Sequence, residues 1–208
     1  MKTITNKVRG ALVVLAAVAA CSVASRPAHA QVIFSDNFNA NTTSFGTTAV
    51  PNWVATDGTF DVIGAGSGFD FYPGNGQYID LDGTNFNAAT FSTTTSFVLG
   101  PGTYQLSFLL GKNGTGTESM TVSVGSGFSE VFAGTGAINP FQTVIRTFTV
   151  AAGFTAPIVF NHAGGDNQGF IIDNVTLAAV PEPGTMALMV GPAALLLGGM
   201  VVRRRRAA

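Results

Sequence analysis

Between residues 31 and 179 the chain alternates apolar and polar positions with a period of two. In "TYQLSFLL", Tyr104, Leu106, Phe108 and Leu110 fall on one face, with Gln105 and Ser107 on the other. "MTVSV" places Met120, Val122 and Val124 together, and "VIRTFTV" does the same for Val144, Phe148 and Val150, with Arg146 at the remaining alternate place. "PIVFN" pairs Ile158 with Phe160, and "FIIDNVTL" sets Ile171, Asp173, Val175 and Leu177 at alternate positions. Such alternation marks strands with one buried face. Gly100-Pro101-Gly102, Asn113-Gly114 and Ala163-Gly164-Gly165-Asp166 separate the runs as turn signals. Upstream, "VIFSDNF" and "QYIDLDG" also read as strands, while residues 41–76 read as long loops with short strands. No stretch in this region shows a helical period. The expectation is an all-β domain, a β-sandwich of jelly-roll type.

The two ends follow a different pattern. Lys2, Lys7 and Arg9 precede an apolar run from Ala11 to Ala20, then Ala28-His29-Ala30. A basic region, a short apolar region and a small-x-small site predict a secretory signal peptide over residues 1–30, cleaved before Gln31. Val18-Ala19-Ala20-Cys21 offers a rival lipoprotein-type site, with lipidation of Cys21. At the other end, Pro181-Glu182-Pro183-Gly184 leads into an apolar stretch and then a cluster of Arg203, Arg204, Arg205 and Arg206. Met186 to Val202 is seventeen residues, near the lower limit for a membrane-spanning helix. Those four arginines act as a topology signal that would hold its far end in the cytoplasm, leaving residues 31–179 outside.

Setting the ends aside changes the charge. Of ten Lys and Arg residues only Lys112 and Arg146 remain in residues 31–179, against ten Asp and Glu. The net charge there is about −8 at reference pKa values, although the whole chain carries −1. An acidic domain repels phosphate backbones, so no nucleic-acid partner is expected. The only cysteine is Cys21, so the mature domain has neither disulfide nor thiol chemistry.

The tail resembles the PEP-CTERM sorting signal of Gram-negative bacteria, over about 28 residues, with motif, apolar run and arginines in that family's order. The resemblance implies transient inner-membrane anchoring, processing near Pro181, Glu182 and Pro183 by an exosortase, and a final place at the cell surface or in an extracellular matrix. It also implies association with exopolysaccharide and biofilm. The middle resembles galactose-binding-like jelly rolls in "FDFYPGNGQYIDLDGT", "GTYQLSFLLGKN", "RTFTV" and "NHAGGDNQGFIIDNVTL". That second resemblance raises carbohydrate binding as an alternative role.

Enzymatic readings find little support in the residues. His162 is the one histidine left after residue 30, which rules out a zinc site of His/Cys type. No nucleophile-elbow motif accompanies it, and it reads as a polar residue in the loop after a strand. A glycan hydrolase would need two carboxylates across a cleft, and Glu118 with Glu130, or Asp80 with Asp82, are the pairs on offer. Gly64-Ala65-Gly66-Ser67-Gly68 lacks dinucleotide spacing and reads as a flexible loop. No enzyme activity is expected. Two binding expectations remain. Trp53, Phe71, Tyr72 and Tyr78 lie in the loop-rich half and could stack on sugar rings. Asp36 and Asp173, near the first and last strands, could hold calcium through hard carboxylate oxygens.

Overall fold

The structure, a computed structural model, describes residues 30–181. The expected signal peptide and the membrane-spanning segment lie outside the described residues, as do Glu182 and Pro183 of the sorting motif. The same holds for the expected topology signal, Arg203, Arg204, Arg205 and Arg206. Ala30–Val180 forms one compact unit. All of its regular elements are strands: β1 (Gln31–Asp36), β2 (Ser44–Thr47), β3 (Ala49–Val50), β4 (Trp53–Asp57), β5 (Phe60–Gly64), β6 (Gln77–Asp80), β7 (Thr90–Thr93) and β8 (Phe97–Leu99). The second half supplies the longer ones: β9 (Gly102–Lys112), β10 (Thr117–Val124), β11 (Phe128–Thr135), β12 (Ile138–Val150), β13 (Phe154–Ala156), β14 (Ile158–Ala163) and β15 (Phe170–Val180).

Two antiparallel sheets form a sandwich. One has the order β12-β9-β15-β6-β5-β2, with β1 also bonded to β15, and the other runs β11-β10-β14-β7-β4-β3. The alternation read in β9 is realised, since Tyr104, Leu106, Phe108 and Leu110 are all buried between the sheets. Facing them come Met120, Val122 and Val124 of β10 with Ile158 and Phe160 of β14. Aromatic contacts tie the layers: Trp53 stacks on Phe91 with centroids 4.6 Å apart, and Phe108 meets Phe160 edge-on at 5.2 Å. Each fully buried side chain of this size contributes roughly 1.5–3 kcal/mol.

A bulge in β15 changes one expectation. Phe170 and Ile172 point into the core, and so do Val175 and Leu177, although Ile172 and Val175 are an odd three positions apart. The register shifts between Asp173 and Thr176, and Asn174 takes φ 50° to absorb the extra residue. Ile171 and Asp173 therefore face away from the core that Val175 and Leu177 line.

The outward face of the seven-stranded sheet carries a second, smaller apolar cluster. Ile63, Tyr72, Tyr78 and Ile171 are buried there with Phe141 packed against them. Tyr72 comes from the β5–β6 loop and stacks on Phe141 at 3.8 Å. Its hydroxyl donates to the Ile138 carbonyl and accepts from the Lys112 amide. Gly111 makes this possible, because a Cβ there would stand 2.2 Å from the Tyr72 hydroxyl oxygen.

Candidate functional site

The β5–β6 loop covers only one end of that outward face. Beyond it the face is open, and cross-strand register shows what it presents. One row runs Ile145–Ser107–Thr176–Ser35 across β12, β9, β15 and β1, with Ser35 and Thr176 hydroxyls 3.2 Å apart. The next rows are Thr147–Gln105–Ala178 and Thr143–Leu109–Asp173. Ile145 is 53% exposed, and the hydroxyl and amide groups beside it are uncharged. Asp173 is the one ionisable group in these rows. It is 1% exposed, and burial pushes its carboxyl up to about 7, with Asp36 adding to the rise. Where the loop ridge meets β12, Asn139 donates to the Phe71 carbonyl. Phe71 is 38% exposed on this ridge, and Phe69 stands edge-on to Phe45 at 5.8 Å, both rings facing solvent. The result is a hydrogen-bonding surface whose strand rows carry no exposed charge, with Phe69 and Phe71 at one end on either side of exposed Asp70.

Three of the expected sugar-stacking residues are corrected by their burial. Trp53 and Tyr78 are wholly buried and Tyr72 nearly so, and none of their ring faces reaches solvent. Trp53 lies in the main core, while Tyr72 and Tyr78 pack the second cluster. The Tyr78 hydroxyl is occupied too, accepting the Phe71 and Tyr72 amides and donating to Asp70. Phe71 alone of the four is exposed. Phe45, which the sequence reading passed over, joins it because it lies one residue from Ser44, the register partner of inward-facing Val62. That parity was readable only once β2 was known to be a strand.

The calcium expectation does not fit its residues. The Asp36 carboxylate already accepts three N–H donors, from the Phe38 amide, the Asn52 side chain and the Trp53 indole. Asp173 accepts from the Asn174 amide at 2.7 Å. Among the described residues no group of three or more His, Cys, Asp and Glu is placed to hold a metal ion. Asp36 caps the turn after β1 and anchors Trp53 instead.

A second polar cluster sits between the sheets at the end where β9 and β14 finish. His162 belongs to β14 and not to a following loop, and it is 4% exposed. Glu118, Asp82 and Lys112 are buried around it, with Glu118 Oε2 at 4.0 Å from His162 Nε2. Burial pushes the Glu118 carboxyl up, Asp166 and Asp82 push it further, and Lys112 opposes them. Asp80, expected as a partner of Asp82, is fully engaged by the Asp82 amide and the Asn113 side chain, and burial drives its carboxyl well above the usual range. Glu130 lies elsewhere, bonded at both oxygens to Arg146. The pair Glu118 and Glu130 therefore does not flank a cleft. The Gly64–Gly68 run is the start of the β5–β6 loop, closed by Ser67 bonding to Gly64.

No family model matches the chain, and no curated protein matches it significantly. Among solved structures it is similar to the CBM22-1–GH10 modules of Clostridium thermocellum endo-1,4-beta-D-xylanase 10B, complexed with xylohexaose. There the identity is 11% and the TM-score 0.46, over 74% of this chain and 29% of that longer one. The CBM22-1 xylan-binding domain of Paenibacillus barcinonensis Xyn10C matches at 14% identity and TM-score 0.43, over 76% of this chain and 99% of its own. The second N-terminal cellulose-binding domain of Cellulomonas fimi beta-1,4-glucanase C matches at 18% identity and TM-score 0.39, over 76% and 100%. The chain itself is an all-β sandwich.

Proposed function

We propose that this is an exported protein, sorted by its C-terminal PEP-CTERM signal, which binds a neutral polysaccharide at the cell surface or in the extracellular matrix through the open face of its seven-stranded sheet. The observation that carries the binding part is the face itself: rows of Ser, Thr and Gln side chains with no exposed charge, ended by exposed Phe71 and Phe69. Hydroxyl and amide groups bond to sugar hydroxyls, and aromatic faces cover the apolar side of a pyranose ring. A domain with ten acidic residues against two basic ones that keeps exposed charge off these strand rows, with Asp70 on the bordering ridge, suits an uncharged polymer.

The sorting part is supported by where the strands end. β1 begins at Gln31, directly after Ala28-His29-Ala30, and β15 ends at Val180, directly before Pro181. Removal of both terminal segments would leave every strand whole. Exosortase and the inner membrane are the partners this reading requires, before release to the envelope surface.

Among the described residues, both apolar clusters and all fifteen strands lie within residues 31–180, so that segment carries its own core. Pull-down of this segment with xylan, cellulose and the host's exopolysaccharide tests binding. Retention on at least one polymer is expected, falling about tenfold or more for Ile145→Asp and Phe71→Ala, both surface changes of small stability cost. Failure to bind any polymer, or binding indifferent to both variants, would overturn the surface assignment. Intact mass of the protein recovered from its host tests the sorting. The expected species starts at Gln31 and ends near Pro183, whereas an acylated Cys21 or an intact tail would contradict it.

A further inference from the structure

Segment 164–169, which joins β14 to β15, crosses the end of the sandwich over His162, and side chains hold its backbone down. Asp82 Oδ2 accepts the Gly165 and Asp166 amides at 2.8 and 3.1 Å. Asn113 Oδ1 accepts the Gly169 amide at 2.6 Å. His162 Nε2 accepts the Phe170 amide at 3.1 Å. The last bond fixes the chemistry of the imidazole. A nitrogen that accepts an N–H bond carries no proton, so the neutral ring holds its proton on Nδ1. The ring is tightly lodged: a Cβ on Gly164 would stand 2.8 Å from Nδ1, and one on Gly169 3.2 Å from Cε1.

We propose that segment 164–169 is an acid-sensitive strap, loosened when His162 takes a proton on Nε2 and can no longer accept the Phe170 amide. The protonated ring would turn two N–H donors toward each other at 3.1 Å. Glu118 Oε2 offers an alternative acceptor 4.0 Å away on β10, the neighbouring strand of the same sheet, so the ring is drawn from the strap toward that strand. The titratable and charged groups around it are Asp82 from the segment after β6, Glu118 from β10, Lys112 from β9 and Asp166 on the strap itself. Burial holds the His162 pKa below its ordinary value, against the pull of Asp82 and Asp166. Loosening uncovers Glu118, Asp82 and Lys112, which are otherwise sealed between the sheets.

The linkage has a definite sign. A histidine that resists protonation while strapped, and protonates freely once released, makes opening easier as pH falls below about 6.5. Glu118 works in the opposite direction, because its carboxyl gives up a proton on exposure. Comparison with His162→Gln isolates the histidine, since a glutamine carbonyl can accept the Phe170 amide at every pH. Amide hydrogen exchange of the full chain in detergent, corrected for intrinsic rates, is measured for residues 165–170 from about pH 7 to about pH 5. The wild-type to His162→Gln ratio is expected to climb by up to about tenfold per pH unit. A flat ratio would overturn the strap. Should the glutamine variant misfold, nitrogen NMR of the wild-type imidazole decides: Nε2 unprotonated at neutral pH and a Phe170 amide that titrates with the ring are expected. A proton on Nε2 at neutral pH, or a Phe170 amide that ignores the titration, would refute it.

Discussion

Asp173 is a buried carboxyl on the outward side of β15, and its protonation ties stability to pH. Its pKa stands at about 7 in the folded chain against 3.8 ordinarily. The folded state thus keeps a proton that the unfolded state sheds, and this group subtracts stability progressively as pH rises from about 4 to about 7. Asp173→Asn mimics the neutral form. It is expected to be more stable than the wild type at pH 8 by a few kcal/mol, at about 1.4 kcal/mol per pH unit crossed, and to show no advantage below pH 4. Urea midpoints at both pH values check this, and the raised carboxyls of Asp61, Asp80 and Glu118 cancel in the difference. Backbone constraint at single residues is equally local. Gly58 has φ 68° and a Cβ there would fall 2.0 Å from the Ala88 carbonyl oxygen, whereas Gly66, at φ 82°, has open space around it. Gly58→Ala should therefore lower the melting temperature clearly more than Gly66→Ala, which bears only the strain of roughly 1–2 kcal/mol for an L-residue in that region. The residues misread from sequence share one cause. Trp53, Tyr72 and Tyr78 combine an apolar ring with a polar tip, and composition cannot say whether the tip meets solvent or, as here, Asp36, Lys112 and Phe71.

At the scale of elements, the long strands were open to sequence reasoning because each keeps one uninterrupted alternation against a single core. In β9, β10, β12 and β14 the predicted faces are the buried ones. β15 breaks the rule at Asn174, where one inserted residue reverses the faces, and nothing in "IIDNVTL" announces a bulge except an Asp-Asn pair that tolerates positive φ. β11 escaped notice because every second residue is half-buried and the others are exposed, the pattern of an edge strand. That edge is fastened to β12 in the opposite sheet by Arg146, whose guanidinium bonds both oxygens of Glu130 at 2.6 and 2.8 Å and lies over the Phe132 ring. Both side chains are more than 30% exposed, so solvent screens the pair. A double-mutant cycle with Arg146→Ala and Glu130→Ala should give a coupling of about 1 kcal/mol or less, shrinking further in high salt. A coupling several times larger would mean that the pair closes the side of the sandwich unaided.

For the whole molecule, segregation of charge matters more than its total. Residues 31–179 carry about −8, yet the strand rows of the open sheet face display no exposed acid or base, Asp70 standing on the ridge at their end. Binding to a neutral polysaccharide is accordingly expected to stay constant between about 50 mM and about 500 mM salt, and the same protein should leave DNA unretained. Affinity that falls steeply with salt would point to a charged ligand on another surface. The pairing of β1 with β15 has a mechanical meaning. Gln31 lies opposite Ala179, so the chain enters and leaves the sandwich at neighbouring points on antiparallel strands. Tension applied between those two ends would unzip β1 from β15 one bonded pair at a time, and would not shear the whole ladder at once. A sandwich tethered at only one of them feels no such load. The processing proposed above, by releasing one terminus, would therefore shield the seven-stranded sheet from the pull of whatever its other terminus is fastened to.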